Sequence, residues 1–127
     1  MKKIFLLLFL LVNLHIGFAQ NQMQKNAIES FSLHYNNNDF EQIYQSFSAK
    51  MKSVHSKKYY FDFFKSVKKS QGSLLYTELI DYSENYQKKS RAIYDGTFDY
   101  GNCTIKITMN QQSEVIGLYI IKNKNLM

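Results

Sequence analysis

The spacing of apolar residues changes once along this chain, at Gly72, from the 3.6-residue repeat of a helix to the two-residue repeat of a strand. Helices therefore come first and strands afterwards, which points to an α+β fold in which an antiparallel meander carries the helices on one face. Ahead of Gly72, Met23, Ala27, Phe31 and Tyr35 recur every four positions with Ile28 beside them, as on one stripe of a helix. The Asn36-Asn37-Asn38 run ends that stripe. Asp39, with Gln42 three residues on, has the form of a capping box opening a second, short helix whose Phe40, Ile43, Tyr44 and Phe47 share one side. The next segment reads as a connection that buries Met51 and Val54. Ser56 is then placed to cap a third helix that runs to about Ser70 and stops at Gly72. This third helix is the most two-faced element. Tyr60, Phe63, Phe64 and Val67 fall on one side and Lys57, Lys58, Asp62, Lys65, Lys68 and Lys69 on the other, with Phe61 the exception inside the basic arc.

Beyond Gly72, residues 74–83, 88–99, 102–109 and 114–122 read as four strands, divided at Glu84-Asn85, Tyr100-Gly101-Asn102 and Asn110-Gln111-Gln112. In the third strand Cys103, Ile105, Ile107 and Met109 alternate with Thr104, Lys106 and Thr108, one face apolar and one polar. Ala92, Tyr94, Gly96 and Phe98 share a face of the second, where Gly96 is a candidate for a bulge or bend. The first and last strands are apolar on both faces. Such strands are either central and covered twice or part of a subunit interface, so a homodimer paired through the sheet is an expectation.

The N-terminus constrains where such a domain works. Lys2 and Lys3 precede an apolar run from Ile4 to Val12, and Gly17 and Ala19 lie just before Gln20, the order of a cleavable secretion signal. Asn13 and His15 interrupt the run, which falls short of the roughly 20 residues that span a bilayer. Residues 1–19 are therefore expected to be removed. Residues 20–127 are then one domain in the periplasm or the medium, with no stable membrane anchor. Removal of the two lysines lowers the formal net charge from +6 to +4, a mild excess that argues against nucleic acid as a partner. Cys103 is the only cysteine and has no partner within the chain, so packing, not a disulfide, must hold the domain together. The sequence carries ten Phe and ten Tyr, of which seven Phe and all ten Tyr fall in residues 20–127 and supply that packing.

Four segments carry a family likeness: Asn38-Asp39-Phe40, Phe47 to Lys52, the aromatic helix Tyr59 to Val67 closing at Gly72, and Glu114 to Ile120. In these the chain resembles the cystatin-like, nuclear-transport-factor-2-like superfamily, and within it small exported bacterial domains of unknown function. The resemblance implies a strongly curved sheet wrapped around the long helix, a cone with a pocket at its open end. Tyr44, Tyr60, Phe64, Tyr94 and Phe98 are the candidates to line that pocket. In related families the pocket serves isomerases and dehydratases, holds small ligands, or serves nothing.

The residues themselves spell out no reaction. His34 and His55 stand in different segments with no carboxylate or cysteine at ligand spacing, so no metal is expected. Cys103 sits on an apolar strand face and reads as a small buried hydrophobe. No Gly-rich phosphate loop or nucleophile elbow is present, and no cofactor is implied. An acid–base enzyme would need a carboxylate and a phenol together, from Asp81, Asp95 or Asp99 and Tyr44, Tyr60 or Tyr94. The lysine face of the third helix offers a third reading, binding to an anionic surface. The leading expectation is a non-catalytic module of the bacterial cell envelope that binds a small apolar ligand or an envelope protein.

Overall fold

The structure, a computed structural model, describes residues 21–123; the expected leader, residues 1–19, lies outside that range. Helix α1 occupies residues 21–36, α2 Phe40–Gln45, α3 Ala49–Val54 and α4 Lys57–Gln71. The strands follow as β1 Leu74–Glu84, β2 Ser90–Phe98, β3 Gly101–Met109 and β4 Val115–Lys122, paired antiparallel in chain order to form one open sheet. Among the described residues no helix is long and apolar enough to cross a membrane.

The α+β arrangement and the four-stranded meander match the apolar pattern, but among the described residues there are four helices where the spacing predicts three. The additional one, α3, forms in the segment read as a connection. Ser48 caps it, its hydroxyl accepting from the Met51 backbone N–H at 3.2 Å. Six residues are too few for a periodic stripe to show, and only Met51 of the expected pair is half-buried; Val54 is 62% exposed. Ser56 does cap α4, accepting from Tyr59 N–H at 3.1 Å. Gly72 does end it, with φ 82°. Asp39, in contrast, makes no side-chain cap bond at α2. Its carboxylate lies 3.6 Å from His34 Nδ1 instead, drawn to the imidazole of the helix that precedes it.

The buried stripe of α1 is rotated by one residue from the predicted one: Gln24, Ile28, Phe31 and Tyr35 face inward, while Met23 and Ala27 are half-buried. A glutamine at 1% exposure survives there because its amide Nε2 reaches Ser90 O, Ser90 Oγ and Ile107 O at 3.0–3.2 Å, tying α1 to two central strands. Lys68 is likewise not part of a solvated face. Its ammonium donates to Tyr35 O at 3.0 Å and Asn36 O at 2.8 Å, closing the C-terminus of α1 with a positive charge. Phe61 is covered by the edge of Phe40, ring centroids 6.2 Å apart, which resolves its odd place among the lysines.

On the sheet, Cys103, Ile105, Ile107 and Met109 are all buried, as are Ala92, Tyr94, Gly96 and Phe98. Gly96 holds no bulge: it pairs regularly with Thr77 and Cys103. A Cβ there would stand 2.9 Å from Ile105 Cδ1 and 3.1 Å from Phe98 Cε1, so any side chain at this position would force those neighbours to shift. The register breaks fall in β1, at Leu75 and Ile80, and in β4, at Ile116. β1 and β4 are the two edges, which removes the reading of either as a central strand covered twice.

Two hairpins use one device. Asn85 and Asn110 each accept two backbone N–H groups on Oδ1, from Gln87 and Lys89 and from Gln112 and Glu114. Lys88 and Ser113, three residues on, both take positive φ. The third hairpin tip is fastened to the end of α4: Asp99 N–H donates to Ser73 O, Tyr100 N–H to Gln71 O, and Asp99 Oδ2 accepts from Ser73 N–H at 2.7 Å.

Candidate functional site

Between Ser46 and Ser48 the chain runs beside the start of β4 as a single parallel bridge, with Val115 N–H donating to Ser46 O at 2.8 Å and Ser48 N–H to Val115 O at 2.9 Å. Among the described residues, no backbone pairs with the free edge of β4 from Ile116 onward. There the helices α3 and α4 stand off from the strand and leave a cleft of about 690 Å³. Its volume lies within the roughly 300–1,000 Å³ common for small-molecule sites.

The walls are apolar. Phe47, Tyr60 and Phe64 are buried at the base, and Met51, Leu118 and Ile120 are half-buried. Phe47 meets Tyr60 edge-on at 5.0 Å, and Phe63 meets Phe64 in the same way at 5.7 Å, so the aromatic base is fixed by ring-to-ring packing. The Tyr60 hydroxyl donates to Met51 O at 2.6 Å, joining α4 to α3. Burial, then the neighbouring Tyr44 and Tyr59, raises the Tyr60 pKa, so this phenol stays protonated as a donor. His55 lies flat on Tyr59 at 3.9 Å at the rim. Lys50, Lys89, Asn110 and Ser48 are the other polar lining groups; no Asp or Glu is among them.

Of the five residues expected to line a pocket, Tyr60 and Phe64 line this cleft. Tyr44 is one ring further out, 6.1 Å from both Phe47 and Tyr60, with the Lys52 and Lys57 ammonium groups 5.3 and 5.4 Å from its ring centre. Tyr94 and Phe98 lie in the closed core under α1: the Tyr94 hydroxyl donates to Gln24 O at 3.4 Å, and Phe98 meets the Tyr35 ring edge-on at 5.8 Å. Sequence reasoning missed the α3 and β4 sides of the cleft. The double-sided apolar run Val115 to Ile121 was its one signal, since a strand edge that is neither central nor charged must face something apolar.

The carboxylates an acid–base reading requires are placed elsewhere. Asp81 is exposed on β1. Asp95 accepts from Asn102 and Asn123 on the sheet face away from the helices. Asp99 holds the turn after α4. The Cys103 thiol is 1% exposed and raised in pKa by burial, which keeps it unreactive. Among the described residues no group of three or more His, Cys, Asp or Glu is placed to hold a metal ion.

A smaller cavity of about 240 Å³ lies between α1, α2 and the β3–β4 end of the sheet, sharing Phe47 and Leu118 with the cleft. A shallow hollow over α2 and α4 is bordered by Phe40, Phe61, Lys65, Lys68 and Lys69. The lysine face there is largely engaged: Lys57 pairs with Glu41 at 2.5 Å, Lys58 with Asp62 at 2.6 Å, and Lys68 closes α1. Each partner acid is lowered in pKa by its lysine's hydrogen bond.

Residues 29–118 match a family model described as a protein of unknown function, DUF3887. No curated protein and no solved structure matches the chain significantly.

Proposed function

Since the chain belongs to the DUF3887 family, whose description names no activity, we propose from its geometry that it is a non-catalytic binding module holding a small apolar ligand in the cleft between α3, α4 and β4. The observation that carries this reading is the lining: aromatic and aliphatic walls with no carboxylate among them. An acid–base enzyme requires convergent polar groups at the reacting centre, and Asp81, Asp95 and Asp99 have other positions and partners. The leader-like N-terminus supports an exported module of the bacterial envelope, in the periplasm or medium. A likeness to the cystatin-like, nuclear-transport-factor-2-like superfamily fits the same reading, since helices on one face of an antiparallel sheet leave such an opening. The anionic-surface reading has less support, because most of the lysine face is paired internally.

The test is titration of the protein with Nile red, a neutral apolar dye that brightens on leaving water. Saturable binding is expected. Val54→Trp places bulk at the cleft rim, where residue 54 is already 62% exposed, and so should weaken binding about tenfold without touching the core. A dye affinity indifferent to residue 54 counts against the cleft.

A second reading, association through the sheet, is favoured by one observation. On edge strand β1, Leu75, Tyr76, Leu79 and Ile80 are 48 to 63% exposed, an apolar edge of the kind that pairs with another chain.

A further inference from the structure

Apart from His55 and the tyrosine hydroxyls, the polar groups of the cleft are not scattered. In the sheet register Ser90 pairs with Met109, Met109 with Val115, and Val115 bridges to Phe47, so these four positions form one row across the sheet. Four polar lining residues adjoin that row: Lys89 precedes Ser90, Asn110 follows Met109, Ser48 follows Phe47, and Lys50 lies three residues beyond Phe47 in the first turn of α3. All four therefore gather at the end of the cleft where β4 begins. From there the wall formed by β4 runs from Ile116 to Ile121, about 17 Å at the usual rise of a strand. Leu118 and Ile120 line it two and four residues beyond Ile116, and Phe63 lines the cleft from α4.

The two lysines at the polar end make no close ion pair. Neither the Lys50 nor the Lys89 ammonium has an ion-pair or hydrogen-bond partner among the described residues, in contrast to Lys57, Lys58 and Lys68. Neither Glu84, which pairs across the hairpin with Ser90 next to Lys89, nor Glu114, whose carboxylate accepts from Asn110 Nδ2 at 2.9 Å, lines the cleft. Two cations and an amide at one end of an apolar slot, with no acid in the lining, complement a ligand with an apolar tail and an anionic head.

We propose that the cleft selects a single-chain anionic amphiphile, its carboxylate or phosphate head at Lys50 and Lys89 and its chain along Leu118 and Ile120. This rests on the reading of the cleft as a ligand site and adds the class of ligand. Asn110 supplies a neutral hydrogen-bonding group beside the head, and the protonated phenol of Tyr60, already donating to Met51 O, presents no competing charge along the chain.

The test uses bound Nile red as the reporter and displaces it with dodecanoate or with dodecyltrimethylammonium, both below their micelle concentrations. These share a chain length and differ in the sign of the head. Dodecanoate should displace the dye at a concentration at least tenfold lower. Within the K50E/K89E double variant that ratio should fall to unity or invert, whereas K65E/K69E, which removes the same charge from the far side of α4, should keep the wild-type ratio. Dodecyl phosphate in place of dodecanoate distinguishes the two head groups, and either acting as the better displacer is consistent with the proposal. Equal displacement by the two surfactants in the wild type overturns the ligand class while leaving the cleft as a site. A ratio that drops equally in both double variants shows only net charge and overturns it as well. Failure of Nile red to bind at all overturns the underlying site, and the ligand class with it.

Discussion

Gly72 closes α4 at φ 82°, ψ −155°, a conformation that residues with a Cβ rarely adopt, and a Cβ there would stand 2.5 Å from Asp99 Oδ2. The same residue accepts a 2.7 Å hydrogen bond from the Tyr35 hydroxyl, and the next one, Ser73, donates its N–H to Asp99, so two adjacent backbone positions join α1, the end of α4 and the β2–β3 turn. Gly72→Ala should therefore cost about 1–3 kcal/mol, read as a lowered midpoint in urea denaturation; an unchanged midpoint would mean that the crossover is not held as described. Gly72 was legible in the sequence because a glycine between two periodicities is a strong stop signal. Gln24 and Lys68 were not. Gln24 lies off the apolar stripe expected for α1 and Lys68 on the lysine side of α4, whereas each is fixed by backbone carbonyls contributed from distant parts of the chain, a tertiary fact without local trace.

Helix starts divide in the same way. Ser48 and Ser56 each accept a backbone N–H in the first turn of the helix they precede, while Asp39, with the better-looking motif, caps nothing and faces His34. Ser56→Ala should cost about 1 kcal/mol and Asp39→Ala only a few tenths, measured side by side by chemical denaturation. The reverse order would show that Asp39 caps α2 in solution. The strands were the most legible elements, since alternation over eight or more residues is hard to produce otherwise. What alternation could not show was strand order, and with it the fact that both doubly apolar strands are edges. Half the lining of the cleft was thereby hidden, because α3 is too short for periodicity to mark it and β4 was open to a central reading. Tyr60 and Phe64 were found because they lie on the strongest amphipathic stripe; Tyr94 and Phe98 share their chemistry but are sealed beneath α1.

At the scale of the molecule, no disulfide is available, and an aromatic core holds helices to sheet. Several of its phenols are buried with their protons. Burial pushes Tyr94 up to about 12, and Tyr35 and Tyr82 are raised by the same cause, Tyr82 further by its hydrogen bond to Glu84. A raised phenol favours the folded state fully below the unfolded value near 10 and loses that contribution as pH climbs through the folded value. Stability should thus be level in this respect through neutral pH and fall between about pH 10 and 12, by at most about 1.4 kcal/mol per unit for each of the buried Tyr35 and Tyr94 and by less for the half-buried Tyr82. Tyr94→Phe should shallow the decline in urea midpoints across that range; a slope unaltered by the substitution would contradict a protonated, buried Tyr94. Association through the β1 edge belongs to this scale too. Sedimentation at high concentration should show dimers that Leu79→Lys abolishes, and a monomer throughout would remove that reading. The cleft itself is tested most directly by amide chemical shifts of isotope-labelled protein titrated with dodecanol. Binding along the apolar wall predicts shifts grouped at Met51, Tyr60, Phe63, Leu118 and Ile120, with β1 unmoved; shifts confined to Leu75 through Ile80, or none at all, would contradict it.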